Sequence, residues 1–154
     1  MTFGRSGHAL ILLAVALIGC ATGNAGQRST SVSNMDMPAN GATLAQIYFW
    51  RAKPGRLEEY TRYIRDRAEP IDAEAQRSGA FVSVTTYMAS DTTVPWTHMR
   101  VFTLRDSTQL RGLGEALAAA GVRLEPDSVK RRQQSEYSAT LRDRVGAVVV
   151  ELVR

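Results

Sequence analysis

Seven side chains in four short stretches have the types and spacing to do chemistry: Tyr48 and Trp50, Thr85 and Tyr87, His98 and Arg100, and Glu151. Each pair is two residues apart, and on a β-strand that spacing puts both members on one face. Aromatic walls with a few converging polar groups make a small-molecule site. In such a site Arg100 offers a planar cation for a carboxylate and His98 a proton shuttle near neutral pH. The same Tyr, Trp and Arg types also suit a buried interface between two copies of a chain, and a single strand histidine also serves as an ordinary structural residue. Metal chemistry through nitrogen or sulfur is poorly supplied, because the chain has only His8, His98 and Cys20 to offer. Gly112-Leu113-Gly114 starts like a dinucleotide fingerprint, but Leu117 stands where the third glycine belongs and the stretch reads as helix. No P-loop, nucleophile elbow or His-Glu-x-x-His stretch occurs. Asp91 has no base or metal partner in view and reads as a loop residue.

Strands and helices to position these residues are legible. Residues 45–52 (Ala-Gln-Ile-Tyr-Phe-Trp-Arg-Ala) are dense in β-formers and apolar on both faces, so a strand covered on both sides is expected. Lys53-Pro54-Gly55 is a turn signal. Leu57, Tyr60, Ile64, Ala68, Ile71 and Ala75 then recur every three or four residues, which predicts one face of an amphipathic helix ending at Gly79. Pro70 lies inside that pattern and should kink or divide the helix. Residues 81–89 and 96–105 read as strands joined by a polar loop, hence antiparallel neighbours. A helix capped at Asp106, Ser107 or Thr108 should run to residue 120, with Gly121 beyond its end. A further helix opens at Pro126-Asp127-Ser128 and should reach about residue 144, because Tyr137, Leu141 and Val145 repeat every four. Residues 147–153 form the last expected strand. With Ile47, Phe49, Val82, Val84, Met99 and Val101 turned to the helices, the seven candidates and Ser83 would share the opposite face.

The order β-α-β-β-α-(α)-β is the split βαβ arrangement of the ferredoxin-like α+β fold, with a four-stranded antiparallel sheet. Helices on one side leave the other face bare, and a second subunit would cover its large apolar groups. Residues 43–154 resemble the dimeric α/β barrel superfamily, including antibiotic-biosynthesis monooxygenase-like and NIPSNAP-like proteins. Ile47-Tyr48-Phe49-Trp50, the Pro54-Gly55 turn with Leu57-Glu58-Glu59-Tyr60, and Gly79-Ala80-Phe81 carry that resemblance. It implies a homodimer. It also implies an alternative activity, a cofactor-independent monooxygenase or haem-handling enzyme with His98 and Arg100 in the cavity; otherwise no cofactor is expected. Fold alone does not carry function in so varied a group.

The amino terminus sets the expected address. Arg5 is followed by an apolar run over residues 9–18, too short for the roughly 20 residues that span a bilayer. Leu17-Ile18-Gly19-Cys20 resembles the bacterial lipoprotein signal, which implies cleavage after residue 19 and acylation of Cys20. Two or three acyl chains suffice for stable anchoring, and Ala21 in place of an aspartate implies the outer membrane, with the body facing the periplasm. Residues 20–42 are rich in Ser, Thr, Asn, Gly and Ala and read as a flexible tether. About 22 residues of such chain span on the order of 25 Å. Without residues 1–19 the chain carries 18 basic and 15 acidic side chains, too mild a balance for nucleic acid. Lys130-Arg131-Arg132 reads as a solvated helix face or a phospholipid contact. The expectation is a lipid-anchored envelope protein binding a small apolar or amphipathic ligand or a protein partner without turnover.

Overall fold

The computed structural model describes residues 41–153. The proposed signal peptide, Cys20 and most of the tether lie outside the described residues. Nine elements follow one another: β1 (Leu44–Ala52), α1 (Leu57–Tyr63), a π-helical turn (Ile64–Ala68), α2 (Glu69–Arg77), β2 (Ser83–Met88), β3 (His98–Leu104), α3 (Ser107–Leu124), α4 (Ser128–Leu141) and β4 (Arg142–Glu151). The strands form one sheet in the order β2-β3-β1-β4, every neighbouring pair antiparallel. This is the ferredoxin-like α+β fold.

Local chemistry explains most boundaries. Pro54 and Gly55 (φ 73°) occupy the centre of a turn closed by Arg56 N–H donating to the Lys53 carbonyl at 2.9 Å, the type II arrangement that needs a positive φ at its third residue. At the end of α2, Gly79 (φ 81°) lets its own N–H reach the Gln76 carbonyl and Ala80 N–H reach that of Ala75, a Schellman motif. Asp106 caps α3, its carboxylate accepting from the backbone of Thr108 and Gln109, and Asp127 caps α4 in the same way through Val129 and Lys130.

Pro70 divides the helical run: it stands at the start of α2, which the π-helical turn Ile64–Ala68 separates from α1. Its ring would crowd the carbonyl four residues back and it has no N–H to donate. The preceding turn widens instead to π geometry, Glu69 N–H reaching the Ile64 carbonyl. Two expectations are corrected. The third helix continues through Gly121 to Leu124, because Ala120 is buried in the core and Arg123 Nε lies 2.6 Å from Glu74 Oε1 on α2. The fourth ends at Leu141 rather than near residue 144: Leu141 is fully buried, but the apparent continuation, Val145, belongs to β4.

The core lies between the sheet and the helices. Phe81, Phe102, Leu104, Ala75, Leu113 and Ala120 form its larger part, with Leu44, Tyr48 and Val84 packed against it. Tyr60, Ile64, Ala52 and Leu141 form a second cluster beside Trp50. Phe102 and Leu104 are 2% and 0% exposed and set the phase of β3. His98 and Arg100 must then also face the helices. The pairs Tyr48 with Arg100 and Trp50 with His98 carry β1 along. The expected facing is therefore inverted for these strands: Ile47, Phe49, Met99 and Val101 line the open face. Thr85 pairs with Val101 and Tyr87 with Met99 on that same open face.

Candidate functional site

The seven candidates divide between the two faces. Tyr48, Trp50 and Arg100 border a cleft of about 220 Å³ between the sheet and the helical layer. Thr85 and Tyr87 are on the far side of the sheet and cannot reach it. Glu151 pairs with Leu44 at the other end of β1 and does not line it. His98 faces the helices but is 1% exposed and does not line it either.

The cleft takes one or two residues from each of six elements. Tyr60 and Tyr63 come from α1, Ile64 and Ala68 from the π turn, Phe102 from β3 and Leu117 from α3. Arg142 and Arg144, two apart on β4, complete it. Arg142 lies over the Trp50 ring with its guanidinium carbon 3.5 Å from the ring centroid, and its Nε donates to Ser138 Oγ at 3.1 Å. Arg144 sits 5.8 Å from the Tyr48 ring. These contacts stack planar cations on aromatic faces, an arrangement that guanidinium groups favour. Burial raises the Tyr60 phenol above its ordinary value, with the Arg142 and Arg100 charges pulling the other way.

Arg100 is paired already. Asp72 on α2 is 3% exposed and accepts from the Arg100 Nη2. Burial pushes the Asp72 carboxyl up to about 6, against the opposing pull of Arg100. The Arg100 Nε is buried without a protein partner among the described residues.

His98 sits inside a closed chain of hydrogen bonds. Ala52 N–H donates to Thr97 Oγ1 at 2.8 Å, and the Thr61 hydroxyl donates to the Leu57 carbonyl at 2.9 Å. Thr61 can then only accept from His98 Nε2 (3.0 Å), while the Thr97 hydroxyl has two acceptors in reach, Nδ1 at 3.0 Å and the Trp50 carbonyl at 3.3 Å. The Thr61 contact places a proton on Nε2; burial lowers the His98 pKa and so favours the neutral ring, in which Nδ1 accepts from the nearer Thr97 hydroxyl. Tyr60 packs edge-on against the ring. Both ring nitrogens are engaged within the protein, so proton shuttling or haem ligation by His98 would require breaking its contact with Thr61 or Thr97.

Two larger grooves, of about 460 and 470 Å³, run beside α1 and α4 around Tyr63, Arg67 and Tyr137. They are shallow, and their charges are partly matched within the protein: Glu59 accepts from Tyr137 at 2.5 Å and pairs with Arg56. The smaller cleft combines guanidiniums with walls of aromatic rings. Among the described residues no cluster of three metal-ligating side chains occurs, and no helix is long and apolar enough to cross a membrane.

Sequence reasoning missed Asp72, Arg142 and Arg144. The Arg-x-Arg spacing was a usable signal, because two cations two apart share a face only on a strand. It was obscured by the four-residue repeat of Tyr137, Leu141 and Val145, which extended the helix over them.

No protein-family model matches the chain and no curated protein matches it. Among solved structures it is similar to HapK from Hahella chejuensis, at 11% identity and a TM-score of 0.49, covering 71% of this chain and 92% of that one. A dimeric protein of unknown function with a ferredoxin-like fold from Bacteroides fragilis gives 12%, 0.49, 71% and 96% in the same order. A conserved Bacteroides thetaiotaomicron protein described as a possible oxidoreductase gives 12%, 0.48, 73% and 99%. At TM-scores below 0.5 these likenesses say nothing further about this chain.

Proposed function

We propose that this is a lipid-anchored envelope protein whose body binds a small amphipathic molecule, without turnover, in the cleft between sheet and helices. The carrying observation is the lining itself: aromatic rings from β1, α1 and β3 surround a cavity whose polar groups are guanidiniums and phenols. That composition suits capture of a ring-bearing ligand. His98, the expected proton shuttle, has both ring nitrogens engaged by Thr61 and Thr97 and does not line the cleft. Native mass spectrometry of the full chain extracted from its own cells tests this: a retained small molecule supports binding. Oxygen uptake with a phenolic substrate would instead support the monooxygenase alternative.

The anchor is the Leu17-to-Cys20 signal, with the chain held at the outer membrane and the body in the periplasm. A diacylated Cys20 at the mature amino terminus, read by peptide mass spectrometry, supports it; a Cys20→Ser chain that stays membrane-bound refutes it. A homodimer through the open sheet face completes the proposal. Ile47, Phe49, Met99 and Val101 are only partly covered there, and Trp96 lies against Phe49 from the β2–β3 loop.

A further inference from the structure

We infer that the ligand of the cleft is a planar aromatic anion, its acidic group held by Arg142 and Arg144 and not by Arg100. This rests on the cleft being the ligand site and adds the ligand's charge. Three observations carry it.

First, no carboxylate lines the cleft. Arg100 has its charge matched by Asp72 from behind. Among the described residues no carboxylate lies within ion-pair distance of Arg142 or Arg144. Two guanidiniums therefore face the same space with no anion to balance them.

Second, the backbone is built to put them there. The β1–β4 register shifts between Phe49 and Trp50, so Phe49 opposes Gly146 but Trp50 opposes Arg144. Val145 is the extra residue of a β-bulge. With an unbroken register Trp50 would oppose Val145, Arg51 would oppose Arg144, and Ala52 would oppose Asp143. That alternation would turn Arg144 to the open face and bring a carboxylate to the cleft side. The bulge reverses this: Arg142 and Arg144 join Tyr48 and Trp50, while Asp143 turns away to lie 3.8 Å from Lys53.

Third, Arg142 is held in position before any ligand arrives. Trp50 supports its flat face and Ser138 fixes its Nε, an arrangement that reduces the ordering cost of a charge-assisted contact. The volume of about 220 Å³ limits the ligand to one or two rings.

The test uses the full chain in detergent and three probes of one shape: 1-naphthoate, 1-naphthylmethanol and 1-naphthylmethylamine, titrated by calorimetry against detergent blanks. Naphthoate should bind about tenfold or more tighter than the alcohol, as charge-assisted hydrogen bonds imply, and the amine weakest. Arg144→Gln, at an exposed position where folding is not in question, should remove most of that preference, weakening naphthoate far more than the alcohol. Arg142→Gln should act in the same direction. Equal affinity for acid and alcohol, or a preference that survives both substitutions, overturns the anion inference and leaves the cleft as a binding site. Ala68→Phe separates the two claims by filling the cleft: binding that persists in this variant places the ligand elsewhere and overturns the cleft reading itself. No binding by any probe overturns the inference.

Discussion

The two faces of the sheet use apolar residues for different ends. On the helix-covered face, apolar packing frames polar groups with partners inside the protein, Asp72 with Arg100 and His98 with Thr61 and Thr97, beside Arg142 and Arg144, whose charges no carboxylate among the described residues balances. On the open face, Ile47, Phe49, Met99 and Val101 stand beside Thr85 and Tyr87, with Arg51 and Asp143 only at one end. One face spends its apolar area on shaping a polar cleft; the other is a surface that water solvates poorly. Apolar content alone therefore does not say which face of a two-sided strand is inside. Buried charge does.

The largest test of that contrast is Arg100→Met. It leaves the Asp72 carboxylate buried without its counter-charge, and breaking one side of such a pair costs about 3–5 kcal/mol. Chemical denaturation at pH 8 should show that loss, and much of it should return at pH 5, where the carboxyl can take a proton. A Val101→Thr change on the open face should cost far less. Equal losses from both would end the distinction drawn between the faces.

The pair is asymmetric, and pH exposes this. The folded Asp72 pKa, about 6, lies above the ordinary 3.8. The folded state thus holds a proton that the unfolded chain has already released between those values. The stability contributed by the protonated group is full below about pH 4 and is lost as pH rises through about 6. The two-unit separation corresponds to at most about 3 kcal/mol. Asp72→Asn removes this dependence. The variant should match the wild type near pH 4 and exceed its stability by up to about 3 kcal/mol at pH 7.5, because Arg100 borders the cleft and its charge can be hydrated there. A variant less stable than wild type at pH 7.5 would show the ion pair to be net favourable.

Element types, the buried face of α1 and α2 and the facing of β2 were readable from the sequence, while the facing of β1 and β3 was not. The 57–75 spacing located α1 and α2 because Tyr60, Ile64 and Ala75 are all buried, and Asp106 and Asp127 announced their helices. Strand phase was ambiguous because β1 alternates one apolar set, Ile47 and Phe49, with another, Tyr48 and Trp50. The deciding fact was tertiary: the acidic partner of Arg100 comes from α2, 28 positions away in the chain. Asp72 itself was hidden among polar helix residues. The bulge at Val145 was also beyond the sequence, since a single extra residue in a valine-rich strand leaves no compositional mark.

The open face supplies the next prediction. In the proposed dimer, Phe49→Asp puts a charge at the centre of the interface. Aromatic positions at interface centres are worth about 2 kcal/mol or more and a symmetric dimer carries the change in both copies, so the dimer dissociation constant should rise by at least about thirtyfold by sedimentation. The fold of the monomer should persist, because Phe49 is outside the core between sheet and helices. A wild-type chain that is monomeric at micromolar concentration sinks the dimer directly.

The smallest effect belongs to the helix-covered face and concerns a single proton. Thr61→Val keeps the side-chain shape but removes the acceptor for His98 Nε2–H, leaving a buried donor unpaired at a cost of about 1–3 kcal/mol. Thr61 is itself exposed, which lets water replace the hydroxyl and holds the loss near the bottom of that range. Nitrogen-15 chemical shifts of the His98 ring give the sharper readout. In the wild type they should report the neutral Nε2–H form. The ring should stay neutral as pH falls through 6.5, since burial lowers its pKa. The unfolded chain takes up that proton first, so this group withdraws stability as pH drops below 6.5, opposite in sign to Asp72. In Thr61→Val, water admitted beside Nε2 should move the His98 pKa back toward 6.5. A wild-type ring that already titrates at 6.5 would mean that His98 is not sealed, and would return it to the list of groups able to move a proton near the cleft.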